Sequence, residues 1–230
     1  LLHVQRRGDS GSPRVAVRLR PDSAEANANL GAALQERGDL DGARAAFQRA
    51  LEASPDSPGV LWNLALASER QGNVEDAEKL FEKLVAMRPD WEDAAFRLGY
   101  LQLQRAEYAA AVDSFEICLE KRQDWTAALL NLGLAAWKFG DLETAASTFH
   151  RALSLDPRNS GAIRWLTAVL VDQEKSAEAL TWYRKLEAQD QPPPELSYNL
   201  GLLLQSAGEH AAAAECYRAA VDRRPEFSQA

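Results

Sequence analysis

The sequence has little of what catalysis and metal binding usually need. Two cysteines, one methionine and three histidines occur in 230 residues. Cys118 and Cys216 make no disulfide framework. They neither require nor exclude an oxidising compartment; the cytoplasm is the expectation. His3, His150 and His210 lie in separate regions, and neither HExxH nor CxxC occurs, so no metal site is expected. The spacings GxGxxG and GxxxxGK[ST] are missing too, which removes two common nucleotide cradles. No apolar run approaches the roughly 18 residues that cross a bilayer, so no membrane insertion is expected. The chain therefore reads as no enzyme, with no cofactor.

Positive charge is also scarce. The net charge is −8, yet residues 1–20 carry five Arg against one Asp. The remainder holds 21 basic and 33 acidic residues. Nucleic acid is not the expected partner of such an acidic body, because phosphate binding needs a basic stripe.

What the sequence does have is repetition. "NLGAALQERGDLDGA" (Asn29–Ala43), "NLALASERQGNVEDA" (Asn63–Ala77), "NLGLAAWKFGDLETA" (Asn131–Ala145) and "NLGLLLQSAGEHAAA" (from Asn199) are variants of one phrase. Leu30, Leu64, Leu98, Leu132, Leu166 and Leu200 recur every 34 residues without a slip. Gly31, Ala65, Gly99, Gly133, Thr167 and Gly201 follow them. Ala43, Ala77, Ala111, Ala145, Ala179 and Ala213 keep the same phase, as do Phe47, Phe81, Phe115, Phe149, Tyr183 and Tyr217. A constant period means that each unit stacks on the last in the same way.

Within a unit two apolar stripes of helical period appear. Gly38, Gly72, Gly140 or Gly208 separates them, as a left-handed helix end requires. Asp39, Asn73 and Asp141 follow as N-caps of the second helix. Pro55, Pro89, Pro157 and Pro225 close four of the six units. The spacing predicts all-α helix hairpins at 24–57, 58–91, 92–125, 126–159, 160–193 and 194–227, with a tail at 228–230. Glycine inside a helix costs about 1 kcal/mol against alanine. Its recurrence predicts close approach of the first helix to the alanine of the second, with the aromatic filling the space above. The fifth unit diverges, with Thr167, Glu174 at its turn, and a run of Pro192, Pro193 and Pro194 that favours an extended junction. Residues 1–23 read as a partial helix of a preceding repeat ("RVAVRLRPD", Arg14–Asp22) or a disordered basic segment. Both ends read as cut from a longer array or covered by a partner.

This pattern closely resembles the tetratricopeptide repeat: the Leu-Gly pair, the alanine, the aromatic and the terminal proline match in most units, over residues 24–227. The resemblance implies a right-handed superhelical solenoid of six stacked helix-turn-helix units, whose first helices line a concave groove. The 35-residue pentatricopeptide family, which reads RNA through a basic groove, does not fit. The groove would carry a column formed by Asn29, Asn63, Arg97, Asn131, Trp165 and Asn199. It resembles in part the asparagine ladder of the O-linked N-acetylglucosamine transferases, which would hold a peptide backbone. Helix periodicity points Trp62, Phe96, Tyr100, Trp137, Trp165 and Tyr198 wholly or partly inward, a composition suited to an interface. Arg97 and Arg164 are candidates for acidic ligand groups, or else pair with Asp93 or Glu195. The carboxylate clamp of chaperone-binding repeats is broken, since Ala28, Ala32 and Asp93 stand at its positions.

The functional reading is a protein-interaction scaffold that binds an extended peptide or partner segment. A second is the substrate-docking region of a larger enzyme such as a glycosyltransferase. A third is a self-assembling scaffold, associating through the basic N-terminal segment or the exposed array ends.

Overall fold

A computed structural model of the chain describes residues 20–224, with Pro13, Arg14 and Val17 before them. Expectations for most of the N-terminal segment, including His3, and for Pro225 lie outside the described residues. The described residues form an all-α helical repeat fold. The helices are α1 (Ala24–Glu36), α2 (Leu40–Ala53), α3 (Pro58–Arg70), α4 (Val74–Met87), α5 (Glu92–Gln104), α6 (Tyr108–Lys121), α7 (Thr126–Phe139), α8 (Leu142–Leu155), α9 (Ser160–Asp172), α10 (Ser176–Glu187), α11 (Pro194–Ser206) and α12 (His210–Arg223). First helices and second helices each restart every 34 residues, as the sequence requires. The chain divides into two compact units, Leu1–Arg105 and Ala106–Ala230. The division falls in the turn of the third repeat.

In the first unit the core is a series of seams rather than one ball. One cluster joins Leu34, Ala43, Phe47, Ala50, Val60 and Leu64; the next joins Leu61, Ala65, Ala77, Phe81, Leu84, Ala94 and Leu98. Each seam is built from adjacent repeats, so a hairpin completes its core only against its neighbour. In the second unit Phe115, Phe149 and Tyr183 are buried in the same register.

The close approach expected at glycine is real, but its partner differs from the expectation. A β-carbon at Gly133 would lie 2.6 Å from Cε1 of Phe149, and one at Gly31 would lie 2.5 Å from Cε1 of Phe47. The missing side chain thus admits the aromatic edge itself, rather than the alanine of the second helix. Ala65 and Thr167 take the same register elsewhere, and Phe81 and Tyr183 remain buried there. The fold therefore accepts more bulk where ring and helix are set for it.

Caps stop and start the helices. Asp39 accepts from the Gly42 N–H at 2.9 Å and Asp141 from the Thr144 N–H at 3.0 Å. Hydrogen bonding from Thr144 holds the Asp141 carboxyl below its ordinary pKa. Asn73 does not cap: its side-chain amide donates to Gln71 instead. Links between repeats also recur. Lys83 donates to the Pro55 carbonyl at 2.9 Å, and Arg151, at the same register, donates to the Gln123 carbonyl.

Each turn holds one residue in the left-handed region. Gly140 has φ 97°, but Ala106 (φ 61°) and Glu174 (φ 59°) occupy the matching places in repeats three and five. A β-carbon is disfavoured there. Ala106→Gly and Glu174→Gly should each raise stability by about 0.5–1 kcal/mol, even though glycine loosens the unfolded chain. Thermal unfolding checks this, and a fall in melting temperature would contradict it.

The proline-rich junction keeps the period. Pro193 is extended (φ −57°, ψ 142°) and Pro194 opens α11. The helix before it, α10, ends at Glu187, shorter than its counterparts. α11 still docks on α10: the Tyr183 and Ser197 hydroxyls are 2.7 Å apart.

Candidate binding face on the first helices

First helices lie side by side within each unit. α1 touches α3 in the first; α9 touches α7 and α11 in the second. The leucine and glycine positions of these helices are turned into the seams, which leaves the preceding residue at the edge of the packing. Asn29 and Asn199 are exposed, and Asn63 and Asn131 are half-buried. The amides of Asn29, Asn63 and Asn199 make no hydrogen bond among the described residues. Asn131 donates to the Ala127 carbonyl of its own helix at 2.9 Å, which leaves its oxygen as an acceptor.

The aromatic candidates separate into two sets. Trp62 stacks on Trp91 at 5.1 Å between centroids and meets Phe81 edge-on at 5.5 Å. Trp165 lies 5.8 Å from Phe149, and Tyr198 lies 5.8 Å from Tyr217. These three rings lie against the aromatic register of the hairpins and are half-buried. Phe96 is also half-buried. Tyr100 is exposed. Trp137 is half-buried, and its indole N–H donates to Asp172 on the next first helix at 2.6 Å.

The two arginines take carboxylate partners other than Asp93 or Glu195. Arg97 reaches back to Glu69 at 3.1 Å. Arg164 meets Asp190 at 3.4 Å, with its Nε buried and unpartnered. Glu195 pairs with Arg224. The reason is geometric: a long side chain on a first helix reaches the repeat before it or the loop after it more readily than its own helix. Glu69 and Asp172 were missed by sequence reasoning. Their place in the last turn of a first helix was the available signal.

Another missed residue is Asn27, in the register of Leu61, Leu129 and Ile163. It is fully buried and donates to the Pro21 and Ser23 carbonyls at 2.6 and 3.0 Å, a tether at the start of the first described hairpin. His210, in the register of Leu40 and Leu142, is exposed. Cys118 is fully buried in the register of Ala50 and Ala152.

Burial pushes the Cys216 thiol up to about 11, aided by the negative charges of Glu187 and Glu215. Burial also raises the Tyr183 phenol. The thiolate is the reactive form of cysteine, so Cys216 should resist iodoacetamide at neutral pH in the folded chain and react on unfolding. Mass spectrometry of labelled peptides checks this; rapid labelling of Cys216 in the native protein would contradict it. Among the described residues no group of three or more His, Cys, Asp or Glu could hold a metal ion. No described helix is long and apolar enough to cross a membrane.

Models of the tetratricopeptide repeat match residues 34–98, 130–194 and 194–227, well over half of the chain between them. The chain belongs to the tetratricopeptide-repeat family. Solved structures agree on the fold. YrrB, a tetratricopeptide-repeat protein with an unusual peptide-binding site, is 21% identical with a TM-score of 0.69, covering 79% of this chain and 94% of its own. MamA from Desulfovibrio magneticus RS-1, residues 41 to the end, is 22% identical with a TM-score of 0.64, covering 73% and 95%. A tetratricopeptide repeat protein from Parabacteroides merdae is 21% identical with a TM-score of 0.58, covering 94% and 87%. No curated protein matches the sequence.

Proposed function

We propose that this tetratricopeptide-repeat protein is an interaction scaffold that holds an extended peptide against its first helices. The observation that carries this reading is the set of unpartnered amides. Asn29, Asn63 and Asn199 occupy one register of the repeat and spend no hydrogen bond on the fold among the described residues. An amide offers both a donor and an acceptor, which matches the N–H and C=O of a peptide unit. Packed helices are separated by about 8–10 Å, and an extended chain advances about 3.3 Å per residue. The neighbouring amides of Asn29 and Asn63 would then meet ligand residues about three apart. Trp137 and Tyr100 would add ring surface beside the column. The peptide-binding site of YrrB, on the same fold, supports the reading.

Recognition of this kind reads backbone more than side chains. Peptides selected from a random displayed library on the folded protein supply the probe. N-methylation of every third backbone amide, in the register that faces the column, should weaken a selected peptide about tenfold or more. Single alanine replacements in the same peptide should change little. Insensitivity to methylation in all three registers would refute backbone capture.

A further inference from the structure

The last joint of the second unit is built unlike the joints before it. Where consecutive hairpins meet, Phe115 and Leu129 hold one set of matching positions and Phe149 and Ile163 the next, all fully buried. Between the fifth and sixth repeats the same positions hold Tyr183 and Ser197, which are buried as well. Their hydroxyls lie 2.7 Å apart, and Ser197 donates to the Pro193 carbonyl at 3.3 Å. A hydrogen bond that replaces bonds to water adds little net stability, whereas buried apolar carbon stabilises in proportion to its area. The joint is therefore satisfied but weakly driven together.

The links around it agree. The staple that Arg151 makes to the Gln123 carbonyl has no counterpart here, because Ala219 stands in the Arg151 register of repeat six. Arg223 and Arg224 bond to Ser197 and Glu195, inside the sixth hairpin itself. Across the joint Ser176 donates to Glu209, at a long 3.4 Å. The connection is also extended. α10 stops after 12 residues where α6, α8 and α12 run 14. Residues 188–193 then lead to α11, against only 156–159 between α8 and α9. Pro192, Pro193 and Pro194 have no N–H with which to tie that stretch to either hairpin.

We infer that the sixth hairpin, α11 with α12, is a movable element that swings off the fifth repeat at this joint while the rest of the second unit stays folded. Repeat arrays are held by nearest-neighbour interfaces, and a protein opens first where its local stability is lowest. The closed form is the ground state. Opening uncovers Leu186 on one side and Leu196 and Leu200 on the other, in the registers of Leu84, Val60 and Leu64, which join seams between repeats. Cys216 of α12 is 2% exposed and lies within electrostatic reach of Tyr183 and Glu187 of α10, so its thiol faces the joint and reports on it. On the peptide reading above, the joint also sets the distance between Asn131 and Asn199, the amides of this unit.

The test labels the full chain with dithiodipyridine in urea below the unfolding midpoint and follows each thiol by peptide mass spectrometry. Cys118, fully buried in repeat three, is the comparison. Cys216 should label about tenfold faster or more than Cys118, with weaker urea dependence, because the opening exposes less surface than unfolding of the unit. Amides of α11 should exchange along with those of α12. Tyr183→Phe with Ser197→Ile restores the pair of the preceding joint and should slow Cys216 relative to Cys118 about tenfold. Ala219→Arg restores the staple and should slow it about threefold, which keeps the test decisive where the core variant packs badly. Equal rates and equal urea dependence for the two thiols would show that the unit opens as a whole and would overturn the joint. So would a fast Cys216 that neither variant slows, or exchange of α12 without α11, since fraying of one helix would then uncover the thiol. The assay uses no peptide, so its outcome is independent of the binding reading.

Discussion

Phe149→Ala should destabilise the second unit by about 3–5 kcal/mol, the cost of emptying a filled aromatic place in a core. The ring is fully buried. It fits edge-on over Gly133 and lies beside Trp165 of the next repeat. Its loss removes a shared wall between two hairpins, and neither helix can collapse into the space without leaving its other neighbour. Repeat arrays draw their stability from units and nearest-neighbour interfaces, so the damage should be local. Amide exchange in α7, α8 and α9 should accelerate strongly, while exchange in α1 to α4 stays close to wild type. A companion substitution gives the test a sign. In the wild type, Gly133→Ala places a methyl 2.6 Å from the Phe149 ring and should cost about 1–3 kcal/mol through overpacking. In the Phe149→Ala background the same methyl meets a cavity. It also gains about 1 kcal/mol of helix propensity, so it should stabilise. Equal effects of Gly133→Ala in both backgrounds would show that the glycine is not there for the ring.

That coupling marks where the sequence was legible and where it was not. The 34-residue period placed every helix start, because it records which residues must be buried at each stacking step. Composition at the turns located the left-handed residue, and the same register extends it to Ala106 and Glu174, where no glycine announces it. Period alone, however, does not say which atoms meet. The glycine does mark a close approach, but the approaching group is the ring two turns into the second helix. Asn73 has the chemistry of a cap and does not cap; its oxygen takes no N–H of the helix, and its amide nitrogen donates to Gln71. The candidate face was legible as a register of asparagine and aromatic positions. Its partition was not: that Trp62, Trp165 and Tyr198 lean on buried or half-buried rings depends on rotamers and on the spacing between hairpins. Arg97 and Trp137 find their partners, Glu69 and Asp172, on adjacent first helices. Such pairings between repeats emerge only once the hairpins are set beside each other.

The column of amides gives the largest expected effect on binding. Asn29→Ala and Asn63→Ala combined, both on the first unit, should weaken a library-selected peptide about thirtyfold, since each lost pair of backbone hydrogen bonds is worth about 1 kcal/mol and the two add. Folding should be untouched. The two amides make no hydrogen bond among the described residues, so alanine removes no polar contact that the hairpins use and improves helix propensity. The thermal midpoint should therefore stay level or rise while affinity falls, a combination that a structural role for these residues would not produce. Asn131→Ala is the internal comparison. Its amide already bonds to Ala127, so only its acceptor remains for a ligand, and its loss should weaken binding less than that of Asn63. Peptide affinity by calorimetry, with melting curves on the same samples, decides the matter. Undiminished affinity in the double variant would assign peptide capture to another surface and leave the asparagines as solvated edge residues of a repeat.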